Sequence, residues 1–85
     1  MESAVFELNF AKAYPYFTQN LVNKASDLTP NEVKICMLIK MSFSNVQILN
    51  HLKISKSTLL NSRSGIRHKL KLGRKESLTN FILSI

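Results

Sequence analysis

From Val33 through Lys75 the chain contains no acidic residue. Lys34, Lys40, Lys53, Lys56, Arg63, Arg67, Lys69, Lys71, Arg74 and Lys75 accumulate there, whereas up to Glu32 the acids Glu2, Glu7, Asp27 and Glu32 outnumber Lys12 and Lys24. A merely solvated helix face usually mixes signs, so a one-sign stretch within a net charge of +7 points to a polyanionic partner such as phosphate. Glycine and proline are scarce, with two of each in 85 residues, which leaves little room for β-turns and predicts an all-α fold. That length allows one domain with a single small core. Cys36 is the sole cysteine, so no intrachain disulfide forms and a reducing compartment is compatible. It stands in an apolar run, as an inert buried thiol does. There is no run of 18 apolar residues, and Met1-Glu2-Ser3 lacks a basic n-region. These absences predict a cytoplasmic chain with no membrane span and no signal peptide.

Reactive constellations are missing too. His51 and His68 have no cysteine or carboxylate at ligand spacing, so both read as surface residues and no metal is expected. No glycine-rich phosphate cradle occurs. Ser55, Ser57, Ser62 and Ser64 have no evident base or oxyanion donor. The expectation is a protein that is not an enzyme, has no catalytic residue and needs no cofactor.

What the chain does contain is a series of helix signals. Residues 1–26 form a helical leader with Phe6, Phe10, Phe17 and Leu21 on one face and Pro15 dividing it in two, in the first turn of its second helix. Five of the seven aromatics lie here; core packing is their expected use, and a docking face for a partner is the alternative. Thr29-Pro30-Asn31-Glu32 has the spacing of a capping box with proline in the first turn, opening a helix that runs to about Lys40 and buries Ile35, Cys36 and Ile39. Phe43 then turns back toward the core. Ser44 and Gln47 form a second capping box, and Ile48, Leu49 and Leu52 share one stripe of a short helix. Lys53-Ile54 makes a tight turn in which Ile54 plugs the core. Ser55 caps the next helix, where Leu59, Ile66 and Leu70 share the inner face. The opposite face carries Ser57, Leu60, Asn61, Ser64, Arg67 and His68, small polar and basic groups of the kind a helix–turn–helix offers to a DNA groove. Gly73 punctuates the chain before a last helix over 76–82. The predicted core is Ile35, Ile39, Phe43, Ile48, Leu52, Ile54, Leu59, Ile66 and Leu70.

In order and spacing, these residues carry a family resemblance. From Leu28 to about Ile82 the chain resembles the LuxR/GerE-type helix–turn–helix domain, the output module of NarL/FixJ-type response regulators. Leu28, Thr29, Pro30 and Glu32 look like the family's opening. Ile39, Ser44-Asn45, Ile48, Leu52 and Ile54-Ser55 stand at its core and turn positions, and Thr58, Asn61, Ser64, Ile66 and Lys69-Leu70 continue through the recognition helix. The chain departs from the family at Ser42, Lys53 and Lys71, where glycine is common, at Val46 and Leu60, where lysine is common, and at Leu49, where alanine is usual and Ser62 leaves space opposite.

The resemblance implies an all-α helical bundle in which a four-helix core at 27–85 follows the leader. It also implies sequence-specific binding of double-stranded DNA by a bacterial transcription regulator, with a helix at about 55–71 in the major groove. Leu60, Asn61 and Ser64 then stand nearest base edges, Asn61 suited to adenine and Leu60 to a thymine methyl. Lys56, Ser57, Thr58, Arg67, His68 and Lys71 are the phosphate candidates. Arg63 is ambiguous: the family position often faces the core, which implies a packed stem with the guanidinium reaching out. The altered Leu60 implies a non-standard target. By the same resemblance, Leu78, Phe81 and Ile82 form a weak dimer contact on DNA, and a sensor or receiver domain lies upstream. An adaptor that keeps the fold but reads no DNA is the competing expectation.

Overall fold

A computed structural model describes the backbone from Glu2 to Ile85 and side-chain surroundings from Val5 onward; Met1, where the leader begins, and the side chains of residues 2–4 lie outside the described residues. Six helices are present: α1 Glu2–Ala13, α2 Phe17–Lys24, α3 Pro30–Lys40, α4 Asn45–Leu52, α5 Lys56–Lys69 and α6 Leu78–Ser84, with no strand among the described residues. The all-α expectation is met.

The starts follow the local chemistry closely. Thr29 Oγ1 accepts from the Glu32 N–H at 3.1 Å while Glu32 Oε1 accepts from the Thr29 N–H at 2.8 Å. Ser44 and Gln47 repeat this reciprocal pair at 3.2 and 2.7 Å. Ser55 and Ser77 cap α5 and α6 by accepting from the N–H groups of Thr58 and Asn80. Two starts differ from expectation. Pro15 and Tyr16 form a turn, and α2 begins at Phe17, where the Asn20 N–H makes the first bond back to Tyr16. The last helix begins at Leu78 because Glu76 is occupied in the preceding loop.

Three helices end in one way. Ser42, Lys53 and Lys71 have φ of 66°, 56° and 58°. After each, an apolar residue sends its N–H back five residues: Phe43 to the Leu38 carbonyl at 3.0 Å, Ile54 to Leu49 at 3.3 Å, and Leu72 to Arg67 at 3.0 Å. This 6→1 bond is the closure of a Schellman motif, with its apolar residue folded onto the core. Ser42, Lys53 and Lys71 are all non-glycine residues in left-handed backbone. A side chain at such a position costs about 1–2 kcal/mol relative to right-handed backbone.

The core is organised around α3, which packs against α5 and α6, while α4 packs on α5. Ile35, Cys36, Met37, Leu38 and Ile39 are all buried, more than the one stripe read from the sequence. A helix apolar all round needs cover on every side. The leader supplies the further cover: Phe10, Phe17, Leu21 and Ala25 join the same core as Ile48, Leu59, Ile66, Leu78 and Ile82, across the 26/27 boundary. Core packing is thus what the leader's phenylalanines do. Tyr16 alone among its aromatics stays mostly exposed, at 71 %. Lys40 ties leader to C-terminus, with Nζ 5.5 and 5.8 Å from the Tyr14 and Phe17 rings and 3.0 Å from the Leu83 carbonyl. Of the nine predicted core residues, Phe43, Leu52 and Ile54 are only partly buried, because they close turns and the α4 end at the rim.

Gly65 lies in ordinary helical backbone, and its need is close approach: a Cβ there would stand 3.1 Å from Glu32 Oε2. Replacing a mid-helix glycine by alanine normally stabilises by about 1 kcal/mol. With the Glu32 carboxylate held at 2.8 Å by the Thr29 N–H and at 2.7 Å by Lys69 Nζ, Gly65→Ala is expected to forfeit that gain. In a Glu32→Ala background the same change should recover it, as urea midpoints of the four combinations will show.

Candidate nucleic-acid interface

At about 100° per residue, Ser57, Leu60, Asn61, Ser64 and His68 fall within one side of α5, opposite Leu59 and Ile66. All five are exposed, as are Lys56 and Thr58 at the helix start and Lys71, which follows the helix in left-handed backbone. The base-edge candidates Leu60, Asn61 and Ser64 thus lie side by side on one open strip. Leu60 is 48 % exposed on a polar helix face, where burial gives no reason for a leucine. At the N-terminus, Ser55 Oγ donates to Thr58 Oγ1 at 2.9 Å and lies 3.2 Å from Ser57 Oγ, so the hydroxyls are ordered before any ligand arrives.

No carboxylate shares this strip. Glu32 is on the inner side, paired with Lys69 Nζ at 2.7 Å. Lys69 also donates to the Asp27 carbonyl at 3.1 Å. Burial is the strongest single influence on Glu32 and opposes its ionisation. The Lys69 hydrogen bond, the Thr29 N–H, the Lys69 charge and the Thr29 hydroxyl together outweigh it, holding the carboxyl below its ordinary range.

Two arginines do other work than expected. Arg63 does not reach outward: it is half-buried, and its Nη2 meets Thr79 Oγ1 on α6 at 3.3 Å. Burial lowers its pKa, with Cys36 opposing and Arg67 adding to the effect. The Arg67 guanidinium, a phosphate candidate from sequence, places Nη1 on the Glu76 carbonyl and Nη2 on the Gly73 carbonyl, both at 2.7 Å. It is the bond inventory of the α5–α6 loop that occupies it. Cys36 is pushed up to about 12, first by burial and then by Glu32, against Arg63, so its thiol stays protonated and unreactive.

The dimer contact needs correction. Leu78 is 2 % and Ile82 0 % exposed, both in the chain's own core through the packing of α6 on α3. Neither can face a second copy. Phe81 is partly buried, with Lys24 Nζ 5.7 Å from its ring. The i, i+4 spacing of Leu78 and Ile82 was the available signal for a single inner face.

His51 is exposed, yet its ring lies 5.4 Å from Phe6 and 5.9 Å from Phe43. Ser62 lines a cleft of about 230 Å³ with Leu52, Ile54 and Ile35, beneath the turn that joins α4 to α5. No helix among the described residues is long and apolar enough to cross a membrane. Comparison with protein-family models, curated proteins and solved structures gives no match.

Proposed function

We propose that the chain is a DNA-binding module that lays α5 in the major groove, as the output end of a bacterial transcription regulator acting in the cytoplasm. The observation that carries this reading is the open strip of α5. Small polar side chains and one leucine stand on it, Lys56 and Lys71 lie at its ends, and every nearby carboxylate is engaged elsewhere. Asn61 can make paired bonds to adenine, and Leu60 can contact a thymine methyl. Lys56, Ser57, Thr58, His68 and Lys71 fix register on phosphates. A preceding sensor or receiver domain would meet the module through the leader.

The test is anisotropy of labelled duplexes across salt concentration. The logarithm of affinity should fall with log salt at about −0.9 per phosphate contact. Lys56→Gln should weaken all sequences alike and reduce that slope by about one. Asn61→Ala should cost about 1–3 kcal/mol at one base position and leave the slope in place. Binding indifferent to salt, or absent at about 100 μM protein where non-specific complexes already form, would favour the adaptor and end this reading.

A further inference from the structure

The loop between α5 and α6 is built like a mount. The Glu76 N–H donates to the Gly73 carbonyl at 3.1 Å, closing a β-turn with Arg74 and Lys75 at its two central positions. The Gly73 N–H donates to Glu76 Oε1 at 2.9 Å, so the loop's single carboxylate, though exposed, is engaged by the turn's own backbone. Arg67 reaches from α5 and holds the carbonyls at both ends of the turn, Gly73 and Glu76, at 2.7 Å each. Leu72 folds onto the core, and Lys71 before it sits in left-handed backbone. Lys71, Arg74 and Lys75 are exposed.

We infer that this turn is a second, preorganised contact to the duplex backbone, in which Arg74 and Lys75 bind phosphate and Arg67 is the positioning residue. The inference rests on the DNA-binding reading and extends it beyond α5. Two adjacent exposed cations at a turn tip, with Lys71 at the loop's entry, present positive charge that a polyanion complements. Flexible side chains on a mobile loop lose order when they bind, and that cost reduces affinity. Here the backbone beneath both side chains is already fixed by four hydrogen bonds, two of them from Arg67.

The decisive experiment uses the full chain and a labelled random-sequence duplex in a salt series. Arg74→Gln/Lys75→Gln should lower the salt slope by about two and weaken every sequence alike, with an unchanged urea midpoint because both side chains are exposed. Arg67→Lys separates positioning from direct contact. It retains the charge, so a phosphate-binding Arg67 would leave the slope intact; a positioning Arg67 lowers it by nearly as much as the double change. Should Arg67→Lys fail to fold, the double variant still decides the matter. Wild-type slope in the double variant overturns the inference while the reading of α5 stands. A wild-type chain that binds no duplex overturns both. Loss of binding to phosphatidylserine vesicles with no change on the duplex overturns the inference as stated and assigns the turn to a membrane surface.

Discussion

Truncating Ile48 to alanine is expected to cost about 2–5 kcal/mol of stability. Its side chain is wholly buried and is the one fully buried residue of α4. An eight-residue helix has no independent stability in water, so α4 depends on the face it buries. Leu49 and Leu52 add contacts at the rim, but both remain partly exposed. A cavity at Ile48 opens directly beneath the contact of α4 with α5, where the surroundings cannot collapse without moving the turn at Lys53-Ile54. For a domain of this size the loss corresponds to a fall in Tm of roughly 8–40 °C. Val46→Ala, on the same helix at 64 % exposure, should stay within about 0.5 kcal/mol. Urea unfolding of the two variants checks the pair. A change of only a few tenths at Ile48 would remove it from the core.

Glu32→Ala should be nearly as damaging, at about 2–3 kcal/mol, since it removes a helix cap and strands Lys69 in a part-buried site. The carboxylate serves both the Thr29 N–H and Lys69 Nζ, and Lys69 is 25 % exposed, so the loss falls short of that for a fully buried pair. Glu32→Gln keeps an acceptor for the cap and should cost about 1 kcal/mol. The pH dependence follows from the direction of the shift. The folded pKa is lowered below the unfolded value of about 4.3–4.5. The unfolded chain therefore binds the proton more readily, and the stabilisation is complete above the unfolded pKa. It is lost as pH falls through the folded pKa. Urea midpoints measured between about pH 7 and pH 3 should decline more steeply for the native chain than for Glu32→Gln. Parallel curves would show that Glu32 titrates alike in both states.

How much of this was readable beforehand depends on the range of the interaction. Thr29 with Glu32 and Ser44 with Gln47 are three residues apart, and each pair decides its own geometry. The polar strip of α5 follows from its 3.6-residue period, which places Leu60, Asn61 and Ser64 together whatever α5 packs against. The inner face of α3 was readable as one stripe, but Met37 and Leu38 are core as well, in one cluster to which leader, α5 and α6 all contribute. Arg67 was the misleading residue. Its position on α5 suits phosphate, and no local pattern announces that its guanidinium will meet two carbonyls six and nine residues on. Leu78 and Ile82 had the spacing of one face; which surface that face would meet was undetermined until α6 packed on α3.

By itself the sequence determined the all-α class, the capped starts of α3, α4 and α5, the acid-free basic stretch from Val33 to Lys75 and the side chains exposed along α5. These rest on contacts within one or two turns, whose geometry the backbone supplies. Only the tertiary structure decided that the leader and α3 to α6 share one core, that Lys69 answers Glu32 across 37 residues, and that Arg67 braces the turn bearing Arg74 and Lys75. Such pairings depend on where α3, α5 and α6 lie relative to one another. That arrangement is set by the summed burial of many apolar side chains, a non-directional force that leaves no mark at the positions of the polar partners it brings together.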